Sequence, residues 1–338
     1  MRLCVGTSKG IVIVDSGRAR APLAVIANPA SIWCMAQSAG EPEIIFVGSV
    51  EPTHMGDGPA SGTLSRSTDG GKSWTDITPV GAYDEGVWAI AAAPDVPGEL
   101  FIGTAHARLF RTEDHGRSFK ECTAFLALPG RDRWTFPPPP HIPHIRAITF
   151  DPADSSTMYV GVEEGGVFRS RDRGGTFEPL NRGIYPDVHA LAVDPMDSQR
   201  LYATTGRGFY VSANAGGSWK FAGRGLTRPY VVPLLVDAAV GGTLYTAGAA
   251  GAPPTWMANG ADSMLFVSTD GGRSFSSFTA SDGLWRGMVM AMLQSADCPE
   301  DLFAVTSDGK VLQWRPREES IVELASNLPP AYALAALP

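Results

Sequence analysis

The 338-residue chain carries 27 basic against 35 acidic side chains, a formal charge of −8. That balance lacks the basic stripe a nucleic-acid partner requires. With 44% hydrophobic and 18% charged residues, the composition is that of a folded chain with an ample core. No stretch approaches the roughly 18 consecutive apolar residues of a membrane span, so no membrane partner is expected.

The 38 glycines and 27 prolines interrupt short apolar runs and predict many tight turns between many short strands. Gly6, Ser8 and Lys9 break the apolar start, which leaves no signal-peptide core in the chain as given. Cys4, Cys34, Cys122 and Cys298 are widely spaced, without metal-ligand spacing. They read as small hydrophobes of a reducing compartment, and a cytoplasmic location is the expectation.

Taken in order, the N-terminal RLCVGTS, GIVIVDS and APLAVIA read as three strands with no strand before them. A four-strand unit, A to D, then recurs. It begins at SIWCMAQ, at VWAIAAAP (with ELFIGTA, RLFRTED and SFKECT) and at HIRAITFDP (with TMYVGVE, GVFRSRD and TFEPLN). It begins again at VHALAVDP (with RLYATTG, GFYVSAN and SWKFAG), at VVPLLVD and at VMAMLQS (with LFAVTSD and KVLQWRP). The C-terminal AYALAALP reads as a strand A without followers. Joined to the three N-terminal strands, it completes a seventh unit and removes the exposed sheet edge. The expectation is an all-β, seven-bladed propeller of four-stranded antiparallel blades spanning residues 1–338 as one domain.

Five C–D turns share one motif, at Ser67–Trp74, Thr112–Phe119, Ser170–Phe177, Ser212–Trp219 and Ser268–Phe275. The pattern is S/T-x-D-x-G-x-S/T-W/F, with Asn214 in place of Asp in the fourth copy. An aspartate suits such a turn by accepting from backbone N–H groups, and the glycine supplies a positive φ. The aromatic residue packs between sheets. These aspartates read as structural. On this motif the chain resembles the BNR/Asp-box repeat superfamily of propellers, which includes sialidases, xyloglucanase-type glycosidases, sortilin-like receptors and photosystem-assembly proteins. The resemblance implies the fold far more than the chemistry.

Strand alternation puts the A–B turns and the motif turns on one face and the B–C and D–A loops on the other. On that second face three loops are enlarged: 50–62, the ALPGRDRWTFPPPPHIPH loop, and GAAGAPPTWMANGADS. Enlarged loops on a rigid scaffold are where binding sites gather. The Pro137–Pro140 run reads as a pocket wall. The third residues of the A strands, aimed into the channel, are Trp33, Trp88, Arg146, His189, Met290 and Ala333.

Beside them stand His144 and Asp187, with Glu163 and Glu164 in one B–C turn and Arg207 in the next. His106 and His54 lie in other B–C loops. His189, His144, Glu163 and Arg146 are the candidate catalytic groups. Trp33, Trp88, Arg207, Glu164, Asp187, His106, His54, Trp134 and Trp256 are the candidate ligand contacts. His144, His189 and Glu163 are the candidate ligands of a divalent metal ion. The function these imply is binding of a small-molecule or carbohydrate-like ligand at the channel mouth, with hydrolase or lyase chemistry. The alternatives are a non-catalytic assembly propeller and a sialidase-like glycoside hydrolase. The latter would draw its arginine triad from Arg146, Arg207, Arg228 and Arg286 and its carboxylate pair from Glu163 and Asp187.

Overall fold

A computed structural model describes residues 1–17, 22–51, 62–82, 85–278, 285–296 and 298–337. It contains seven four-stranded antiparallel sheets, as the repeat count predicts. Their innermost strands, one per blade, are Ile32–Ser38, Val87–Ala92, Ile145–Asp151, Val188–Asp194, Tyr230–Val236, Val289–Gln294 and Ala331–Leu337. The last of these pairs with Arg2–Thr7, so both ends of the chain share one blade. No helix among the described residues is long and apolar enough to cross a membrane. Cys4 and Cys122 are buried, Cys34 is partly buried and Cys298 is exposed.

Every blade repeats one irregularity. Near its start the inner strand holds one residue more than its partner, which is a β-bulge. Ile145 pairs with Val162 and Ala147 with Gly161, so Arg146 is left without a partner. The same count leaves out Trp33, Trp88, His189 and Met290 in their blades. In the fifth blade, Val232 and Pro233 oppose only Ala247. In the closing blade, Ala331 and Ala333 pair with Thr7 and Gly6 and leave out Tyr332. Tyr332 rather than Ala333 therefore takes the channel position there; Ala333 is buried in the blade.

The partner strand answers the bulge with a glycine in several blades. A Cβ on Gly103 would lie 2.5 Å from Ile145 Cγ2, and one on Gly48 2.5 Å from Val87 Cγ1. Absence of that carbon lets the first residue of the next inner strand seat directly on the sheet. The core is built from such inter-blade layers, for example Phe101, Val160 and Ile145 between the second and third blades.

On the opposite face the motif turns are tied by their own side chains. Asp114 accepts from the backbone N–H of Arg117 and Ser118 and from the hydroxyls of Thr112 and Ser118. The motif glycines Gly71, Gly116, Gly174, Gly216 and Gly272 all hold φ between 77° and 87°, the left-handed region where a side chain is strained. The motif aromatics reach the preceding blade: Phe275 meets Phe209 at 5.0 Å, and Trp219 donates to the Leu180 carbonyl. His115, inside the second motif, bonds Glu41 of the first A–B turn, so both kinds of turn share this face.

Two consequences are measurable. Gly103→Ala places its new carbon against Ile145 and is expected to destabilise the fold by about 1–3 kcal/mol in urea denaturation. The hydroxyl of Ser118, followed by the other donors, holds the Asp114 carboxyl down at about 2. A depressed carboxyl stabilises above its unfolded value near ~3.9, and that contribution fades as pH falls through the folded value. Asp114→Asn is therefore expected to lower Tm at pH 7 by about 1–3 °C. The gap to the unaltered chain should close between about pH 5 and pH 2. Asn214 already fills the turn in the fourth blade, accepting from Ser218 N–H.

Candidate functional site

The bulge residues converge on a cavity of about 520 Å³ at the channel mouth, within the range of small-molecule sites. Trp33, Trp88, Arg146, His189, Val232, Met290 and Tyr332, one from each blade, all line it. Aromatic contacts order its walls. Trp33 stacks on Tyr332 at 4.5 Å with the rings 2° from parallel, and Arg146 lies over the Trp33 ring at 5.7 Å. Tyr230 stands between His189, at 4.7 Å, and Trp256, at 5.4 Å.

All three enlarged loops contribute to the cavity. Phe136 comes from the second-to-third blade connection, and Pro253 and Trp256 from the short helix Pro253–Asn259 of the fifth blade. Glu51 lines it at the edge of the first enlarged loop, whose residues 52–61, including His54, lie outside the described residues.

The polar floor belongs to the third and fourth blades. Glu163 Oε2 accepts from His144 Nε2 at 2.9 Å and lies 3.6 Å from Arg146 Nε. Burial would push the Glu163 carboxyl up, but His144, His189 and Arg146 together outweigh it and hold it well below the usual carboxylate range. His189 donates from Nδ1 to the Val231 carbonyl at 2.6 Å, a bond from the fourth blade to the fifth. Its Nε2 therefore faces Asp187 Oδ1, 3.2 Å away. Burial lowers the His189 pKa, but Asp187 and Glu163 outweigh it and raise it. Next to them, burial and then the charges of Asp187 and Glu163 push the Glu164 carboxyl up.

The expected residues divide accordingly. Trp33, Trp88, Arg146, Glu163, His189 and Trp256 line the cavity. His144 stands behind it, its ring 3.8 Å from that of Trp88 and 4.8 Å from that of Phe136, with Nε2 committed to Glu163. Asp187 is one layer back as well, against His189. Glu164 occupies its turn with φ 57°, and Arg207 lies over the Tyr185 ring at 4.7 Å; neither lines the cavity. His106 is half-exposed, 3.8 Å from Glu85, and outside the lining.

Trp134 is not a wall. The Arg131–Arg133 turn folds it onto Phe125 and Phe168, with Arg131 over its ring. The proline run likewise stays outside the lining, and its contribution is to deliver Phe136, whose carbonyl accepts from His141 Nδ1. Sequence reading missed Tyr332, Tyr230, Phe136 and Asp308 as lining residues. Tyr332 and Tyr230 were findable as bulky residues beside the predicted inner-strand positions.

Metal-ligand geometry also differs from expectation. Among the described residues one cluster brings three donors within 4.8 Å of one another, and it is Glu163, Asp187 and His189. Asp187 stands in that cluster where His144 was expected; His144 stacks on Trp88, meets Phe136 edge-on and has Nε2 committed to Glu163. Nor do the arginines form a triad at the cavity. Arg228 is bound to Asp262 and Arg207 to Tyr185, which leaves Arg146 and Arg286 in the lining.

His144→Ala removes a donor from a buried carboxylate. The expected cost is about 1–3 kcal/mol of stability, read from the urea midpoint at pH 7.

No family model and no curated protein sequence matches the chain. Similar solved structures include the GH74 xyloglucanase from Xanthomonas campestris, at TM-score 0.69 and 17% identity over 93% of this chain and 50% of that one. A GH74 enzyme from Niastella koreensis aligns at TM-score 0.68 and 14% identity, over 98% of this chain and 51% of that one. YCF48 bound to D1 peptide aligns at 0.60 and 15%, over 91% and 87%. This chain thus spans about half the length of the GH74 structures. At these identities the likeness shows the propeller fold alone.

Proposed function

We propose that this chain binds a small carbohydrate-like molecule at the channel mouth and that the charged floor acts on it. The observation that carries this reading is concavity: one bulge residue from each blade turns its side chain into a single cavity of about 520 Å³. A protein-docking face would call for a broad flat surface instead. Indole and phenol rings at Trp33, Trp88, Tyr230, Trp256 and Tyr332 offer flat apolar surfaces for the C–H face of a sugar-like ring. Arg146, Glu163, His189, Arg286 and Asp308 supply hydrogen bonds to its hydroxyl or carboxylate groups.

The chemistry expected of the floor is not that of two carboxylates flanking a glycosidic bond. Glu163 and Asp187 sit side by side within 4.8 Å, and Asp187 does not line the cavity. The two carboxyls therefore do not face each other across the cavity, as the flanking pair of a glycosidase does. Proton transfer or metal-assisted attack from one side suits the arrangement better.

The test uses the indoles of the cavity as reporters. Neutral mono- and disaccharides and their carboxylate-bearing counterparts are titrated against tryptophan fluorescence. At least one is expected to give a saturable change. Arg286 is exposed and has no carboxylate partner among the described residues, so Arg286→Ala should leave Tm unchanged. It should weaken carboxylate-bearing ligands about 10-fold or more, consistent with loss of a charge-assisted bond, while neutral ones hold. Absence of any saturable ligand, or binding indifferent to both Arg286→Ala and Trp256→Ala, rules the reading out.

A further inference from the structure

We propose that Glu163, Asp187 and His189 form a binding site for a divalent first-row transition ion, Zn²⁺ or Mn²⁺, in the floor of the cavity. The proposal does not depend on the ligand reading, because the ion is titrated alone.

His189 anchors the site. Its Nδ1 must carry a hydrogen, since its partner is the Val231 carbonyl at 2.6 Å. In the neutral ring Nε2 is therefore a bare lone pair. Holding the second ring nitrogen on a backbone carbonyl is how a metal-ligating histidine is fixed in tautomer and orientation. That lone pair meets Asp187 Oδ1 at 3.2 Å.

Both atoms are buried and neither has a hydrogen bond, in residues only 5% and 7% exposed. Two buried acceptors facing each other repel unless a cation lies between them, either a proton or a metal. Bonds of about 2.1 Å at tetrahedral to octahedral angles set neighbouring donors roughly 3.0–3.4 Å apart, which matches this pair. Glu163 supplies the third donor within 4.8 Å, and its Oε2 is steadied by His144.

The charge balance agrees. Glu163, Glu164 and Asp187 outnumber Arg146 and Arg207 around the cluster, so a dication is attracted. One imidazole with two carboxylates favours a borderline ion over Mg²⁺ or Ca²⁺, which take all-oxygen sets. Glu163 and His189 line the cavity, so an ion held there faces whatever the cavity admits.

Calorimetric titration of the chelator-treated full chain at pH 7 with ZnCl₂ or MnCl₂ tests this directly. One equivalent is expected to bind, with Mg²⁺ and Ca²⁺ weaker. Glu163→Gln and Asp187→Asn should weaken binding about 10- to 100-fold or more, in line with losses at metal sites. Circular dichroism establishes that each variant is folded. Should a variant fail to fold, anomalous diffraction from zinc-soaked crystals of the unaltered chain decides instead. An ion about 2.0–2.2 Å from His189 Nε2 and from the two carboxylates is then expected. No stoichiometric binding by the folded chain means that a proton bridges the pair, and overturns the proposal. Undiminished binding in folded variants, or an anomalous peak on other side chains, overturns it equally.

Discussion

One extra residue near the start of each inner strand is the constraint on which this molecule turns. A strand that pairs residue for residue sends alternate side chains into the two inter-blade cores. The bulge breaks that alternation once per blade, and the residue left over points along neither core but into the channel. Repeated seven times around a closed ring, it produces a circle of side chains that meet at the channel mouth. Trp33, Trp88, Arg146, His189, Val232, Met290 and Tyr332 hold those places. Such a ring of inward positions is how one scaffold can carry unrelated sites.

The two faces separate stability from chemistry. On the motif face, each aspartate satisfies backbone donors of its own turn, and each motif aromatic reaches back onto the preceding blade. Those contacts are local and self-contained. On the cavity face, polar groups depend on one another: His144 on Glu163 within the third blade, His189 on Asp187 within the fourth and on the Val231 carbonyl of the fifth. Such buried polar networks are costly where incomplete. His189 Nε2 and Asp187 Oδ1, 3.2 Å apart and without a hydrogen bond, are the point where this one is least complete. A buried polar cluster on a rigid ring, beneath the enlarged loops, is what a functional site leads one to expect.

Most of the fold was legible in the sequence because its signals are repeated. The strand alternation, the five motif turns and the orphan strands at either end fix the blade count and the closure, all of which the structure reproduces. The site was legible in part. Arg146 and His189 stood out because charged groups at inner-strand positions have no place in a core. Register is a different matter. Whether Tyr332 or Ala333 meets the channel depends on the pairing of Thr7 and Gly6, more than 300 residues away, and no local pattern carries that information. Trp134 misled for a related reason. An aromatic residue in a long loop looks like a binding wall until the Arg131–Arg133 turn is seen to fold it onto Phe125 and Phe168. Asp187 read as a ligand contact and His144 as the metal donor. The three-donor cluster holds Asp187 and not His144, whose Nε2 is bonded to Glu163, a contact that sequence spacing does not reveal.

The central claim is that the seven bulge positions together form one ligand site. A crystal structure of the chain grown with a saturating sugar-like ligand addresses it most directly. The account predicts ordered ligand density inside the channel mouth, flat against Trp33, Trp88 or Tyr332 and within hydrogen-bond distance of Arg146, Glu163 or His189. Density on the motif face or the outer strands, with only water in the cavity, would contradict it.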